Sequence, residues 1–339
     1  MFKRACVLLA AGLMTAWGSA AWSQTDIRWA TSAVGSAGHK ALVALADVLN
    51  REMPKYRITV LPTPGAIVSV KGYATGQFDG YYGADIAFYQ LAHDNGRFKG
   101  FKASMKRQPV QSFWTFTTEM GIGVRADELK TIKNWHDLEG KVLFLGNPPW
   151  DTRAQLERAF EALGVKYQYR QVDLSSAGSV LQRGGLDGIC IYTTGEAAVA
   201  PWVEEAGLAA DWGVVNPSAD EIATLKKAGF AIFEQKPEAF HKDIHADKAI
   251  LLPYYYGFHV GMEIPAEDVY QMLKIIEKHA GELAKADKSF SQIAKDMPGF
   301  QRQGVMAAAD FVPIHPGLAK YMREKGVWDP KWDSRVAKP

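Results

Sequence analysis

Short apolar runs alternate with longer stretches of helical spacing along most of this chain, which is the pattern of an α/β fold. Residues 27–31 read as a strand. A turn at 35–38 follows, then a helix with Leu42, Leu45, Ala46 and Leu49 on one face. Residues 57–61 predict a second strand, 67–75 a helix and 84–88 a third strand. The pattern then repeats. Strands at 142–145, 167–172 and 186–192 are interleaved with helices at 152–163, 175–182 and 195–205, and Gly164 ends the first of these helices. Each series is a βαβαβ unit, so two similar parallel-sheet lobes are expected.

Two apolar segments join the series. Met120-Gly121-Ile122-Gly123-Val124 lies between them, and Phe258-His259-Val260-Gly261-Met262 follows the second. Together they predict two crossing strands that form a hinge. Helices at 266–279, 289–296 and 316–326 are expected to pack back on the first lobe. The resulting division is 24–120 plus 260–339 for lobe 1 and 121–259 for lobe 2. Two independent sequential domains are the alternative, but no Pro- or Ser-rich linker separates them.

The N-terminus departs from this pattern. Met1-Phe2-Lys3-Arg4 is a basic head, residues 5–17 are uncharged and apolar, and small residues follow to Ser23. Residues 1–23 therefore read as a signal peptide, cut near Ala21 to Ser23; the apolar run is too short for a permanent span. Export to the periplasm is the implied destination. Loss of Cys6 leaves Cys190 alone, so no internal disulfide can form and core burial must supply stability. The chain has 39 Lys+Arg against 37 Asp+Glu, and the counts become equal once Lys3 and Arg4 are removed. Such neutrality argues against a nucleic-acid binder or a polybasic membrane-surface protein.

Catalytic signatures are absent from the sequence: there is no G-x-S-x-G elbow, no P-loop and no complete G-x-G-x-x-G. Cys190 sits in an apolar strand context that suits an inert thiol. His241 and His245 have i,i+4 spacing, compatible with a metal or with a solvated polar turn. An enzyme, a metal and a cofactor are therefore not expected.

Binding candidates cluster at strand-to-helix turns, where ligands of open parallel sheets meet helix N-termini. Ser36 can cap its helix or donate to a ligand, and Gly65-Ala66 can let backbone approach a guest or simply turn the chain. In Asn147-Pro148-Pro149-Trp150-Asp151-Thr152-Arg153, Asp151 or Thr152 is a natural N-cap. Arg153 then puts a cation in the first helical turn, where the dipole disfavours it unless an anion binds between them. A local salt bridge to Asp151 or Glu157 is the alternative. Trp150 adjoins this proposed anion site. Tyr81, Tyr82 and the run Tyr254-Tyr255-Tyr256 offer aromatic walls or core filling. Asp85 in the third strand and Thr193 just past the last strand of the second series complete the candidates.

These segments together resemble the TAXI solute-binding receptors of tripartite ATP-independent periplasmic (TRAP) transporters, over essentially the whole mature chain. The resemblance rests on Gly76-Gln77-Phe78-Asp79 leading into Ala84-Asp85-Ile86-Ala87, on Asp137-Leu138-Glu139-Gly140-Lys141-Val142, and on Thr152-Arg153 with Ala162-Leu163-Gly164. Gly185-Leu186-Asp187-Gly188 and the closing Ile314-His315-Pro316-Gly317 with Tyr321 and Lys325-Gly326 complete it. It implies a type II periplasmic binding protein fold that closes as a monomer on a small organic acid. It also implies delivery of that carboxylate-bearing ligand to sodium-coupled integral-membrane TRAP subunits. An ABC-type or sensory periplasmic receptor is the alternative with the same fold. The sequence departs from the family pattern at residues 33–38, at Gly83-Ala84-Asp85 and at Trp150, which points to an aromatic or hydrophobic carboxylate.

Overall fold

A computed structural model describes residues 24–338; the signal peptide expected at residues 1–23 lies outside them. The first series runs β1 (Thr25–Ala30), α1 (Ala37–Glu52), β2 (Tyr56–Leu61), α2 (Ala66–Ala74), β3 (Gly80–Ala84) and α3 (Asp85–Ala92). The long strand β4 (Trp114–Arg125) leads to the second series. There β5 (Val142–Phe144), α4 (Asp151–Leu163), β6 (Gln168–Tyr169), α5 (Ala177–Gln182) and β7 (Gly188–Thr194) repeat the arrangement. Shorter pieces follow: β8 (Ala198–Val199), α6 (Pro201–Ala209), β9 (Trp212–Val215), α7 (Ala219–Lys227) and β10 (Phe233–Gln235). A second long strand, β11 (Ala249–Val260), returns, and α8 (Ala266–Ala286), α9 (Ser291–Ala308) and α10 (Pro316–Glu324) close the chain.

Strand order explains the two-lobed α/β architecture. It reads β2-β1-β3-β11-β4-β7-β5-β6, with β9 on β4, β8 on β7 and β10 on β11. β1 pairs in parallel with β2 and β3, and β5 in parallel with β6 and β7, so each series contributes the same three-strand motif. The two long strands run antiparallel through the middle. Residues 114–120 of β4 face 252–257 of β11; beyond that stretch β11 continues along β3, and β4 continues along β7 and β9. The crossing is thus made by the tyrosine run 254–256. Phe258 and its successors, expected as hinge, sit in the ladder of the first series.

Several expected elements differ in their bounds: the strand expected at 167–172 is only Gln168–Tyr169, the helix expected at 266–279 runs to Ala286, and three further differences have a local cause. The third strand lies at Gly80–Ala84 instead of 84–88, and Asp85 opens a helix. Every residue of β3 is buried, so it shows no alternation to mark it as a strand. The helix expected at 195–205 begins at Pro201, because residues 194–199 first make a turn and a short strand against β7. The helix expected to stop at Asp296 resumes after a kink there, where Pro298 lacks an N–H and the Asp296 carboxylate accepts from the Gly299 N–H at 2.9 Å.

Most of the remaining elements form as the apolar spacing requires. Gly164 adopts φ 73° and caps α4 in the left-handed region. Of the helices after β11, α8 packs against α1, α9 against β4, and α10 against α8. His315 is fully buried: its Nδ1 accepts from the Gly317 N–H and its Nε2 donates to the Ile264 carbonyl. The closing motif therefore pins α10 to the turn after β11. Residues 241–245 are not helical, and His241 and His245 meet different acids, Glu204 and Asp211.

Candidate functional site

Where the two series meet over the crossing strands, the structure forms a cavity with ≈ 360 Å³ of atom-free space, part of it open to solvent. The first turns of three helices reach it: Ser36, Ala37 and Gly38 of α1, Ala66 of α2, and Trp150 and Thr152 of α4. First-turn N–H groups have no intrahelical acceptor and carry the positive end of the helix dipole. Ser36 caps α1 by accepting from the His39 N–H, whereas Gly65 and Trp150, at the N-caps of α2 and α4, make no side-chain cap.

The remaining walls follow the two-residue period of strands. Tyr254 and Tyr256 of β11, Thr118 of β4, and Tyr192 and Thr194 of β7 point into the cavity, as does Tyr82 of β3. The Tyr82 and Tyr256 rings stack at 4.1 Å between centroids and 10° between planes. The Tyr254 hydroxyl meets Thr152 Oγ1 at 3.2 Å. Burial pushes the hydroxyls of Tyr82, Tyr254 and Tyr256 well above the ordinary tyrosine range, so they take part as neutral groups.

Contacts across the rim hold the series together. Trp150 Nε1 donates to the Pro64 carbonyl at 3.2 Å, and Arg97 pairs with Asp151 at 2.6 Å. Asp151 is fully buried and also accepts from the Tyr256 hydroxyl at 2.6 Å. Gly65 lies so close to this rim that a Cβ on it would stand 2.9 Å from Pro149 Cβ and 3.1 Å from Trp150 Cδ1. Absence of a side chain is what lets the series approach here.

Five of the ten expected site residues line the cavity: Ser36, Ala66, Trp150, Thr152 and Tyr254. Gly65 adjoins it through the contact just described. Four others lie elsewhere. Arg153 is one helical step from Thr152 and turns outward; its Nε bonds Glu157 at 2.7 Å and its guanidinium covers the Tyr169 ring at 3.7 Å. The local salt bridge thus takes the place of the expected anion contact, and the unfavourable dipole is offset by Glu157. Thr193 points away from the cavity and donates to Glu119 Oε2 at 2.6 Å. Tyr255 packs on Phe300 on that same reverse side. Asp85, at the start of α3, accepts from the N–H groups of Ile86 and Tyr255, and burial raises its pKa to about 7. It lines a separate groove with Arg158.

Ser32, Thr118, Tyr192 and Thr194 escaped the sequence reading as site residues, while Tyr82 and Tyr256, left there between aromatic wall and core filling, line the cavity. Their signal is the alternation itself: with Tyr254 placed at the site, Tyr256 follows on the same face and Tyr255 is excluded. Glu119 also escaped notice. It is fully buried on β4, accepts from the hydroxyls of Thr117 and Thr193 and from the Glu196 N–H, and burial raises its pKa to about 8.

Comparison with known proteins adds a family and distant structural neighbours. The NMT1-like family matches residues 29–326. No curated protein matches. A solved structure from Bordetella bronchiseptica is 14% identical over 93% of each chain, with a TM-score of 0.47. The periplasmic aliphatic sulphonate binding protein of Escherichia coli is 14% identical over 93% of this chain and 98% of that one, with a TM-score of 0.42. The ligand-binding component of an ABC-type import system from Staphylococcus aureus, solved with zinc bound, is 10% identical over 93% and 97%, with a TM-score of 0.45.

Proposed function

The chain belongs to the NMT1-like family, and from that premise we propose that it is an exported periplasmic solute-binding receptor. It captures a small carboxylate-bearing ligand between two lobes, residues 24–120 with 260–339 and residues 121–259. The observation that carries this reading is the cavity, whose walls come from both series and whose floor comes from both crossing strands. Only an arrangement with the lobes together offers all these groups to one guest, so a guest binds that arrangement more tightly and shifts the population toward it. Three helix entrances and a set of neutral hydroxyls suit a small anion.

The ligand-binding set is Ser36, Ala66, Tyr82, Thr118, Trp150, Thr152, Tyr192, Thr194, Tyr254 and Tyr256. Resemblance to the TAXI receptors supports delivery to TRAP membrane subunits; an ABC-type or sensory receptor is the alternative. Uptake by vesicles carrying the membrane partner separates these, being driven by a sodium gradient in the first case and by ATP in an ABC importer. The receptor reading itself is tested by mass spectrometry of the small molecules released when the purified protein is denatured. Recovery of an intact organic acid is expected, and that acid should raise the melting temperature when added back. Conversion of the acid to a product by the native protein would overturn the reading.

A further inference from the structure

We propose that the cavity is selective for singly charged guests: it takes a compact monocarboxylate and refuses the corresponding dicarboxylate. This deepens the receptor reading above and rests on it. The side chains that line the cavity are hydroxyl, aromatic or aliphatic, and none carries a formal charge. Tyr82 and Thr118 are at least nine-tenths buried, border the cavity, and their hydroxyls have no hydrogen-bond partner among the described residues. With the uncapped entrances of α2 and α4, they form a set of neutral donors left for a guest. Such a set can satisfy one carboxylate, with the stacked rings of Tyr82 and Tyr256 as an apolar wall for the guest's body.

A second carboxylate has no counterpart. Asp151 puts a buried negative charge one hydroxyl behind the cavity wall, through its 2.6 Å bond to Tyr256. Arg97 is committed to Asp151 at 2.6 Å, and Arg153 to Glu157 at 2.7 Å. Arg158, which has no carboxylate partner among the described ion pairs, faces the separate groove beside Asp85. A second anionic group would therefore be desolvated beside a like charge with no cation to meet it, which disfavours it strongly.

The test is calorimetric titration of the full mature protein, stripped of endogenous ligand, with butanoate and pentanoate against butanedioate and pentanedioate. The monoacids should bind at least about a hundredfold more tightly than diacids of equal length. Asp151→Asn keeps one oxygen to accept from the Tyr256 hydroxyl and turns an amide NH2 toward Arg97, which frees the guanidinium; it should improve diacid binding tenfold or more while changing monoacid binding little. Because this is a gain, misfolding cannot imitate it. If the variant does not fold, the wild-type panel decides. Equal or tighter binding of diacids, or recovery of a diacid from the purified protein, overturns the selectivity and leaves the receptor reading standing. Binding of neither class, with nothing recovered from the denatured protein, overturns both.

Discussion

The two faces of the crossing strands carry similar residues and use them differently. On the cavity face, Thr118, Thr194, Tyr254 and Tyr256 border open space together with Tyr82; Thr194, Tyr254 and Tyr256 have protein partners, and the hydroxyls of Thr118 and Tyr82 have none among the described residues. On the reverse face, Thr117 and Thr193 donate to the buried Glu119. Gln235 donates to Thr193 at 3.1 Å, and Gln292 donates to Thr117 Oγ1 at 2.8 Å. Buried polar groups ordinarily find partners within the protein. Around Glu119 the reverse face obeys that rule and holds strands and helices together, although elsewhere on the long strands Thr115 Oγ1 and His259 Nε2 are buried without a partner. The cavity face departs from it where a guest can complete the bonding.

The rim of the cavity face offers the largest test. Replacing Arg97 with Gln leaves the Asp151 carboxylate buried without its cation, and breaking a buried pair in this way costs about 3–5 kcal/mol. The ligand-free variant can escape that cost by separating its lobes and wetting Asp151. Small-angle scattering should thus show a larger radius of gyration, or urea should unfold the variant at a clearly lower midpoint. Pairing Arg97→Gln with Asp151→Asn should recover most of the loss. If the single variant matches the wild type in both measurements, the rim pair does not hold the series together.

The reverse face gives the next effect, through pH. Burial raises the Glu119 pKa to about 8, whereas an unfolded glutamate titrates near about 4.3. Between those values the folded state holds one more proton than the unfolded state, so stability from this group is complete at low pH and is lost as pH rises. The slope reaches about 1.4 kcal/mol per pH unit inside that window and vanishes above about 8. Glu119→Gln removes the slope while keeping an oxygen for the threonine hydroxyls. Urea midpoints should show the variant gaining on the wild type from pH 5 to pH 8, and parallel profiles would mean that Glu119 is ionised throughout. Asp85, with a pKa raised to about 7, adds a slope of the same sign over a window that closes near that pH.

Much of this contrast was readable before any coordinates. Leu42, Leu45 and Leu49 fixed the buried side of α1, Gly164 the end of α4, and the repeated βαβαβ order the two-series plan. The turns after β1, β2 and β5 were correctly picked as places where helix entrances converge. Two kinds of information were missing. The fully buried strand β3 shows no polar alternation, so its register slipped by four residues and Asp85 was placed in a strand instead of at a helix start. Facing was the second gap. Neighbours in sequence lie on opposite faces of a strand or about 100° apart on a helix, so choosing Tyr255 beside Tyr254, or Arg153 beside Thr152, required knowing which one points inward. Arg97 could not be paired with Asp151 from sequence, because the two are 54 positions apart and meet only when the series come together.

Arg153 supplies the smallest effect and the sharpest check on facing. Its pairing with Glu157 has the i,i+4 geometry whose exposed examples contribute about 0.3–0.5 kcal/mol. Its position 3.7 Å above the Tyr169 ring adds a contribution of about 0.5–1 kcal/mol. Arg153→Ala should therefore lower stability by about 1 kcal/mol and leave affinity for the co-purifying acid within about twofold. Thr152→Val, one residue earlier, removes a hydroxyl that borders the cavity and touches Tyr254. It should weaken the same binding by about tenfold, the worth of a hydrogen bond to a charged group. Reversal of this order, with Arg153→Ala abolishing binding and Thr152→Val sparing it, would mean that α4 presents its outer side to the guest and that the cavity face has been assigned to the wrong side of the helix.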